Sequence, residues 1–228
     1  MAINRFLKDL GQIRIKSILF LLITVSSIAN SAQYDWQLAR SSDTIKIYKA
    51  QTKDSNFAHV RAELTTYSSL SGFLLFLQDY KNIPNWLDNA NNALLIRQIT
   101  PSRNLFVTHF DGIWPVKPRN MVIETEYIQQ PNLSIDIYVQ DASDKTEQFQ
   151  NSIRIKVQHA HWHIAPQQEQ GLIKINYQFN VDPKGSAPSW LVNKMTISSV
   201  WNTMQKIEQL LPNSPWQNFH ITHIEEPK

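Results

Sequence analysis

Three histidines, His159, His161 and His163, alternate along one stretch of this chain. On a regular strand their imidazoles would share one face, as a metal site requires. Their neighbours argue for something else. Ile153, Ile155 and Val157 are apolar at odd positions, whereas Ala160, Trp162 and Ile164 are apolar at even ones. The apolar face therefore changes parity near Gln158, and a β-bulge there places the histidines on the wet face with Arg154, Lys156 and Gln158. Glu124, Glu126 and Asp136 have the chemistry of a general acid and base, yet their alternation with apolar residues is that of an outer strand face. The five glycines form no phosphate-cradling loop, and neither Gly-x-Ser-x-Gly nor His-Glu-x-x-His occurs. With no cysteine, disulfides, thiolate ligands and thiol nucleophiles are excluded. The expectation is a protein without catalytic residues, metal or cofactor.

The elements around these residues are legible from periodicity. Strands are expected over 44–50 and 57–65, then a helix over 68–80 whose stripe is Phe73, Leu74 and Leu77 and whose N-cap is Ser68 or Ser69. Pro84 breaks the chain before a short helical piece carrying Trp86 and Leu87. Further strands are expected at 94–99, 105–110, 121–128, 133–139, 153–164 and 172–181. The intervals between them are too short for crossover helices, so the sheet is an antiparallel meander. In the last strand Ile173, Ile175, Tyr177, Phe179 and Val181 alternate with polar residues. A Gly/Pro turn follows, then a long amphipathic helix with Trp190, Asn193, Ile197, Val200, Trp201, Met204, Ile207 and Leu211 on one arc. Asn193 is the polar member of that arc, facing the interior or bonding the preceding loop. The fold class is α+β, a curved antiparallel sheet wrapped round a C-terminal helix.

A chain of 228 residues with 42% hydrophobic residues suits one domain with a substantial core. Its N-terminus carries Arg5, Lys8, Arg14 and Lys16 before an apolar run from Ile18 to Ala29 and then Asn30-Ser-Ala32. This is the layout of a secretory signal peptide, and the run is short for a membrane span. Residues 1–32 are thus read as a leader, or an anchor if uncleaved, and 33–228 as the domain. Residues 1–29 hold four of the 22 basic and one of the 19 acidic residues, so the formal charge of +3 belongs to the leader and the remainder is balanced. That balance gives no reason to expect nucleic acid binding. Export without disulfides fits a periplasmic or secreted location.

Four segments, in order, resemble the START (steroidogenic acute regulatory protein-related lipid transfer) domains. They are Ile83-Pro-Asn-Trp86 before Leu94-Leu-Ile; Phe106-Val-Thr-His-Phe110 followed by Trp114-Pro-Val-Lys-Pro-Arg119-Asn; Trp162-His-Ile-Ala-Pro166; and Asp182-Pro-Lys-Gly-Ser-Ala-Pro-Ser-Trp190-Leu-Val-Asn193. Asn120 departs from the family, which usually has Asp after the Arg. The resemblance implies the helix-grip architecture and a hydrophobic cavity between sheet and helix, with Trp114, Val116 and Arg119 in a loop near its mouth. The loop tryptophan either packs as a lid or touches a membrane transiently.

The inward-facing candidates for the cavity are Ile135, Ile137, Ile155, Val157, Tyr177 and Phe179 from strands, and Asn193, Ile197, Val200 and Met204 from the helix. They describe a non-covalent carrier: at ~0.8 kcal/mol per buried CH₂, ten such groups give on the order of 8 kcal/mol before association costs. The expected partner is one hydrophobic molecule or lipid, bound by a monomer. An aromatase/cyclase-type enzyme on the same scaffold would need converging polar groups inside, and an uncleaved anchor would favour a membrane-tethered sensing module. Intact-mass measurement of protein from its native host is expected to find the first 29 to 32 residues removed; retention of Met1 to Arg14 would contradict the leader.

Overall fold

The computed structural model describes residues 34–51, 56–112 and 117–227. The leader, Trp114 and Val116 lie outside these residues. Ten strands form one sheet: β1 (Gln37–Ser41), β2 (Ile45–Ala50), β3 (His59–Tyr67), β4 (Ala90–Thr100), β5 (Arg103–Phe110), β6 (Arg119–Gln129), β7 (Ile135–Asp141), β8 (Ile153–Arg154), β9 (Lys156–Pro166) and β10 (Leu172–Asp182). Their order is β1-β2-β3-β10-β9-β7-β6-β5-β4, antiparallel at each of these pairings. The helix-grip fold expected from the sequence is the one observed.

Three local features differ from the sequence reading. β1 was not expected, because all five of its residues are exposed and it carries no alternating apolar signal. The strand expected over 153–164 is two: β8 pairs in parallel with the start of β6, and β9 begins at Lys156. Trp190, placed on the apolar arc, is 68% exposed. The bulge, by contrast, lies where parity changes. Asn180 pairs with His159 while Val181 pairs with Val157, so Gln158 is the extra residue. Val157, Ala160, Trp162 and Ile164 are buried, and the three histidines face outward.

Helix α1 (Leu70–Gln78) starts at Ser69, whose hydroxyl accepts a bond from Gly72 N at 2.9 Å. Helix α2 (Ile83–Trp86) carries Pro84 in its first turn, where the missing N–H costs nothing. The turn into the last helix needs left-handed backbone at Lys184 and Gly185. A side chain at Gly185 would also come within 3.1 Å of Ile153 Cδ1. Helix α3 (Ser189–Leu210) crosses the concave face, and its buried residues, Val200, Trp201, Thr203, Met204 and Ile207, all lie in its C-terminal half.

The chain then returns to α1. Glu226 accepts bonds from Leu70 N and Ser71 N at 2.8 Å each, a carboxylate at the positive end of the helix. Gln217 accepts from Ser69 N at 2.9 Å and donates to Leu211 O at 3.0 Å. Gly72 is what lets Gln217 sit there, since a Cβ would meet its Oε1 and Ser69 Oγ at 2.7 Å. Gly72→Ala is therefore expected to destabilise by about 1–2 kcal/mol through lost hydrogen bonds, although helix propensity alone predicts a gain of ~1 kcal/mol. Denaturant unfolding checks the sign, and a stabilised variant would contradict this close packing.

Candidate ligand-binding cavity

Alternation along β5 and β6 aims two rows of side chains under α3. Asn104, Phe106, Thr108 and Phe110 come from β5, and Arg119, Met121, Ile123, Thr125 and Tyr127 from β6. β7, β9 and β10 add Ile137, Val139, Val157, Trp162, Tyr177 and Phe179. Leu74, Leu77 and Trp86 close one side, and Val192, Met195, Thr196 and Ser199 of α3 form the roof. These walls enclose a cavity of about 320 Å³, within the range of small-molecule sites. An aromatic ladder crosses its floor: Tyr177 stacks on Trp162 at 3.9 Å and on Phe179 at 4.9 Å.

Of the residues expected to face a ligand, Ile137, Ile155, Val157, Tyr177, Phe179, Val200, Met204 and Arg119 line this cavity. Three do not. Ile135 is fully buried in the core. Asn193 turns to the β2–β3 connection, accepting from Ala58 N at 2.9 Å and donating to Asn56 O at 3.4 Å. Ile197 packs against the core beside it. The centre of the helix's apolar arc thus rests on the β2–β3 side, and the cavity lies beneath its flank, where Thr196 and Ser199 leave room. Apart from Arg119, the β5 and β6 rows are not among the positions expected from the sequence, although the outward Glu124 and Glu126 imply inward positions at 123, 125 and 127.

Charge is sparse inside. Arg119 is buried and donates to three carbonyls, Pro183 O at 3.1 Å, Lys117 O at 2.8 Å and Lys184 O at 3.3 Å. It fastens the loop before β6 to the turn before α3, and burial lowers its pKa. Asn120 bonds Ser152 Oγ through Nδ2 at 2.5 Å and makes no charge pair. Asp88 accepts from Lys206 at 3.4 Å, and Asp111 accepts from Asn91 at 2.5 Å. Burial pushes the Tyr80 hydroxyl up to about 12 and the Tyr177 hydroxyl higher still, so both stay neutral. Asn104 Oδ1, Thr108 Oγ1 and Trp86 Nε1 are buried on the wall without a partner among the described residues.

The other titratable residues singled out lie on the outer face. Asp136 Oδ1 accepts from His161 Nε2 at 3.0 Å and His163 Nδ1 at 2.8 Å. Glu124, buried, pairs with Arg103 and Lys145 across β5 and the turn after β7. The Lys145 hydrogen bond is the main cause that holds its carboxyl below the usual 4.5, outweighing the opposing effect of burial. A lowered folded-state pKa gives stability that is complete above the unfolded value and lost as pH falls through the folded one. Thermal melts are expected to decline below about pH 4.5, and Glu124→Gln should cost about 2 kcal/mol at neutral pH and flatten that decline. An unchanged acid limb would contradict this role.

Comparison with known proteins agrees with this geometry. The START domain family model matches residues 24–217. An uncharacterized protein of Pseudomonas aeruginosa is 23% identical over 176 residues, 77% of this chain and 86% of that one. Among solved structures, a STAR-related lipid transfer protein fragment from Xanthomonas axonopodis superposes with a TM-score of 0.69 at 21% identity, covering 77% of this chain and 98% of that one. Human StAR-related lipid transfer protein 5 gives 0.63 at 14% identity, covering 76% and 86%.

Proposed function

This chain belongs to the START domain family, and we propose that it binds one hydrophobic molecule in the cavity beneath α3 and carries it, chemically unchanged, between membranes. The observation that carries the reading is the apolar wall of that ~320 Å³ space, roofed by a half-helix with no buried side chain before Val200. Segments with little buried surface open at lower free energy than packed ones. The start of α3, with the turn at Pro183 and Lys184 that Arg119 holds, is the gate. Exposed Trp190, at the same end of the helix, suits contact with a membrane surface. The protein acts as a monomer after export, and the chamber's ionisable groups, Arg119, Asp88, Asp111 and the tyrosines, already have partners or stay neutral.

Ser199→Trp tests the reading. Ser199 lines the cavity without being fully buried, so an indole there fills ligand space rather than the core. Vesicle-to-vesicle transfer of a fluorescent lipid is expected to fall at least about tenfold, the equivalent of a few lost CH₂ contacts, while the melting temperature holds. Transfer at the parent rate, or conversion of the lipid to a new compound, would overturn it.

A further inference from the structure

Edge strand β4 exposes Leu94, Leu95 and Ile96 in succession, at 53%, 42% and 41%. A run of three exposed aliphatic residues marks an interaction surface. The register against β5 explains how they come to lie together. Leu94 is opposite Val107, which is buried in a small cluster on the outer face of the sheet, and Leu95 is opposite Phe106, which lines the cavity. Ile96 is the extra residue of a bulge that follows Leu95. The rim of the sheet therefore carries apolar side chains from both of its faces. Cations flank it. Arg97, opposite Leu105, shares the outer face with Leu94. Exposed Lys81 lies in the turn Tyr80–Asn82, which packs against β4 and sets Tyr80 on Phe106 at 5.0 Å. Neither cation forms an ion pair among the described residues. Asp79, just before that turn, already accepts from Asn82 Nδ2 at 2.6 Å and Trp216 Nε1 at 3.0 Å.

We propose that the β4 rim docks on an anionic lipid bilayer, with Leu94, Leu95 and Ile96 entering the interface and Lys81 and Arg97 facing the phosphates. The proposal deepens the carrier reading by naming the surface that meets the membrane, and it rests on that reading for its purpose. The bulges select a bilayer over a protein strand. β4 holds extra residues at Asn91, Ile96 and Ile99 within its eleven positions. An added strand needs a regular ladder of backbone groups, and bulges are one means by which edges refuse such pairing. A bilayer makes no such demand. Hydrated headgroups satisfy the edge N–H and C=O groups, while the aliphatic side chains gain by leaving water. The chain beyond residue 29 is balanced in charge, so attraction to a leaflet has to come from a local excess, and two unpaired cations supply it. Trp190 belongs to α3 and is a separate contact.

The test uses the full chain, which has no cysteine, so Ile96→Cys accepts a single NBD fluorophore. Its emission is expected to shift to the blue with vesicles containing phosphatidylglycerol. NBD on Leu38→Cys, a residue 57% exposed on the other edge strand, is expected to stay at its aqueous value. Lys81→Gln combined with Arg97→Gln should weaken vesicle binding about tenfold or more, each cation near a leaflet contributing severalfold, and high salt should act in the same direction. Leu94→Gln should weaken binding while the melting temperature holds, because the side chain is exposed. No shift at position 96, equal shifts at 96 and 38, or equal binding to phosphatidylcholine alone would overturn the docking surface. A shift at 96 that needs no vesicles and grows with protein concentration would mark pairing between copies and overturn it too. Vesicle-to-vesicle transfer is read separately: its absence while position 96 still inserts sinks the carrier reading and leaves the docking surface standing.

Discussion

Everything in this molecule depends on how α3 divides its contact with the sheet. Its C-terminal half, through Val200, Trp201, Met204 and Ile207, is buried in the core, whereas no residue from Ser189 to Ser199 is. One helix is being asked both to close a hydrophobic core and to stand clear of it. The compromise is reached by residue size on the flank. Thr196 and Ser199 sit where larger side chains would fill the space, and Asn193 ties the raised half to the β2–β3 connection at Ala58. A close-packed interior would be more stable; the cavity is the stability given up for binding.

The surrounding structure compensates for that loss. The Tyr177 ladder with Trp162 and Phe179 stiffens the floor, and Arg119 fastens the β6 entry to the turn before α3 through carbonyls. At the other end Glu226, Gln217 and Trp216 lash the C-terminal segment to α1, whose inner face forms one wall. Residues 218–227 lie beyond the span matched by the family model, yet Ile224 is buried in the same core. The two ends of the chamber therefore differ: one is tied by side-chain bonds to a buried segment, the other is roofed by the half of α3 that buries no side chain.

Much of the architecture was legible because period-2 and period-3.6 patterns follow from burial. The parity change near Gln158 is enough to locate a bulge and to turn three histidines outward. β1 left no such trace, since an exposed edge strand is held by backbone bonds that any sequence makes. For the cavity, periodicity identifies inward positions such as Ile137, Val157, Tyr177 and Phe179 on strands and Val200 and Met204 on α3, but not those in the N-terminal half of the helix. The centre of an apolar arc marks where packing is tightest, and a cavity needs the place where packing is absent. Asn193 and Ile197 follow the first rule, and Val192, Met195, Thr196 and Ser199 the second. Asn104 and Thr125 were passed over because an isolated polar residue in a strand reads as surface until its register is known.

The central claim, that the space under α3 is a ligand chamber, is tested most directly by native mass spectrometry of the protein expressed in its own host. A single adduct is predicted, an apolar molecule released intact when the protein is denatured and absent from the Ser199→Trp variant. Protein that stays at its bare mass after incubation with vesicles of the host's lipids, or an adduct that persists equally in the filled variant, would contradict it.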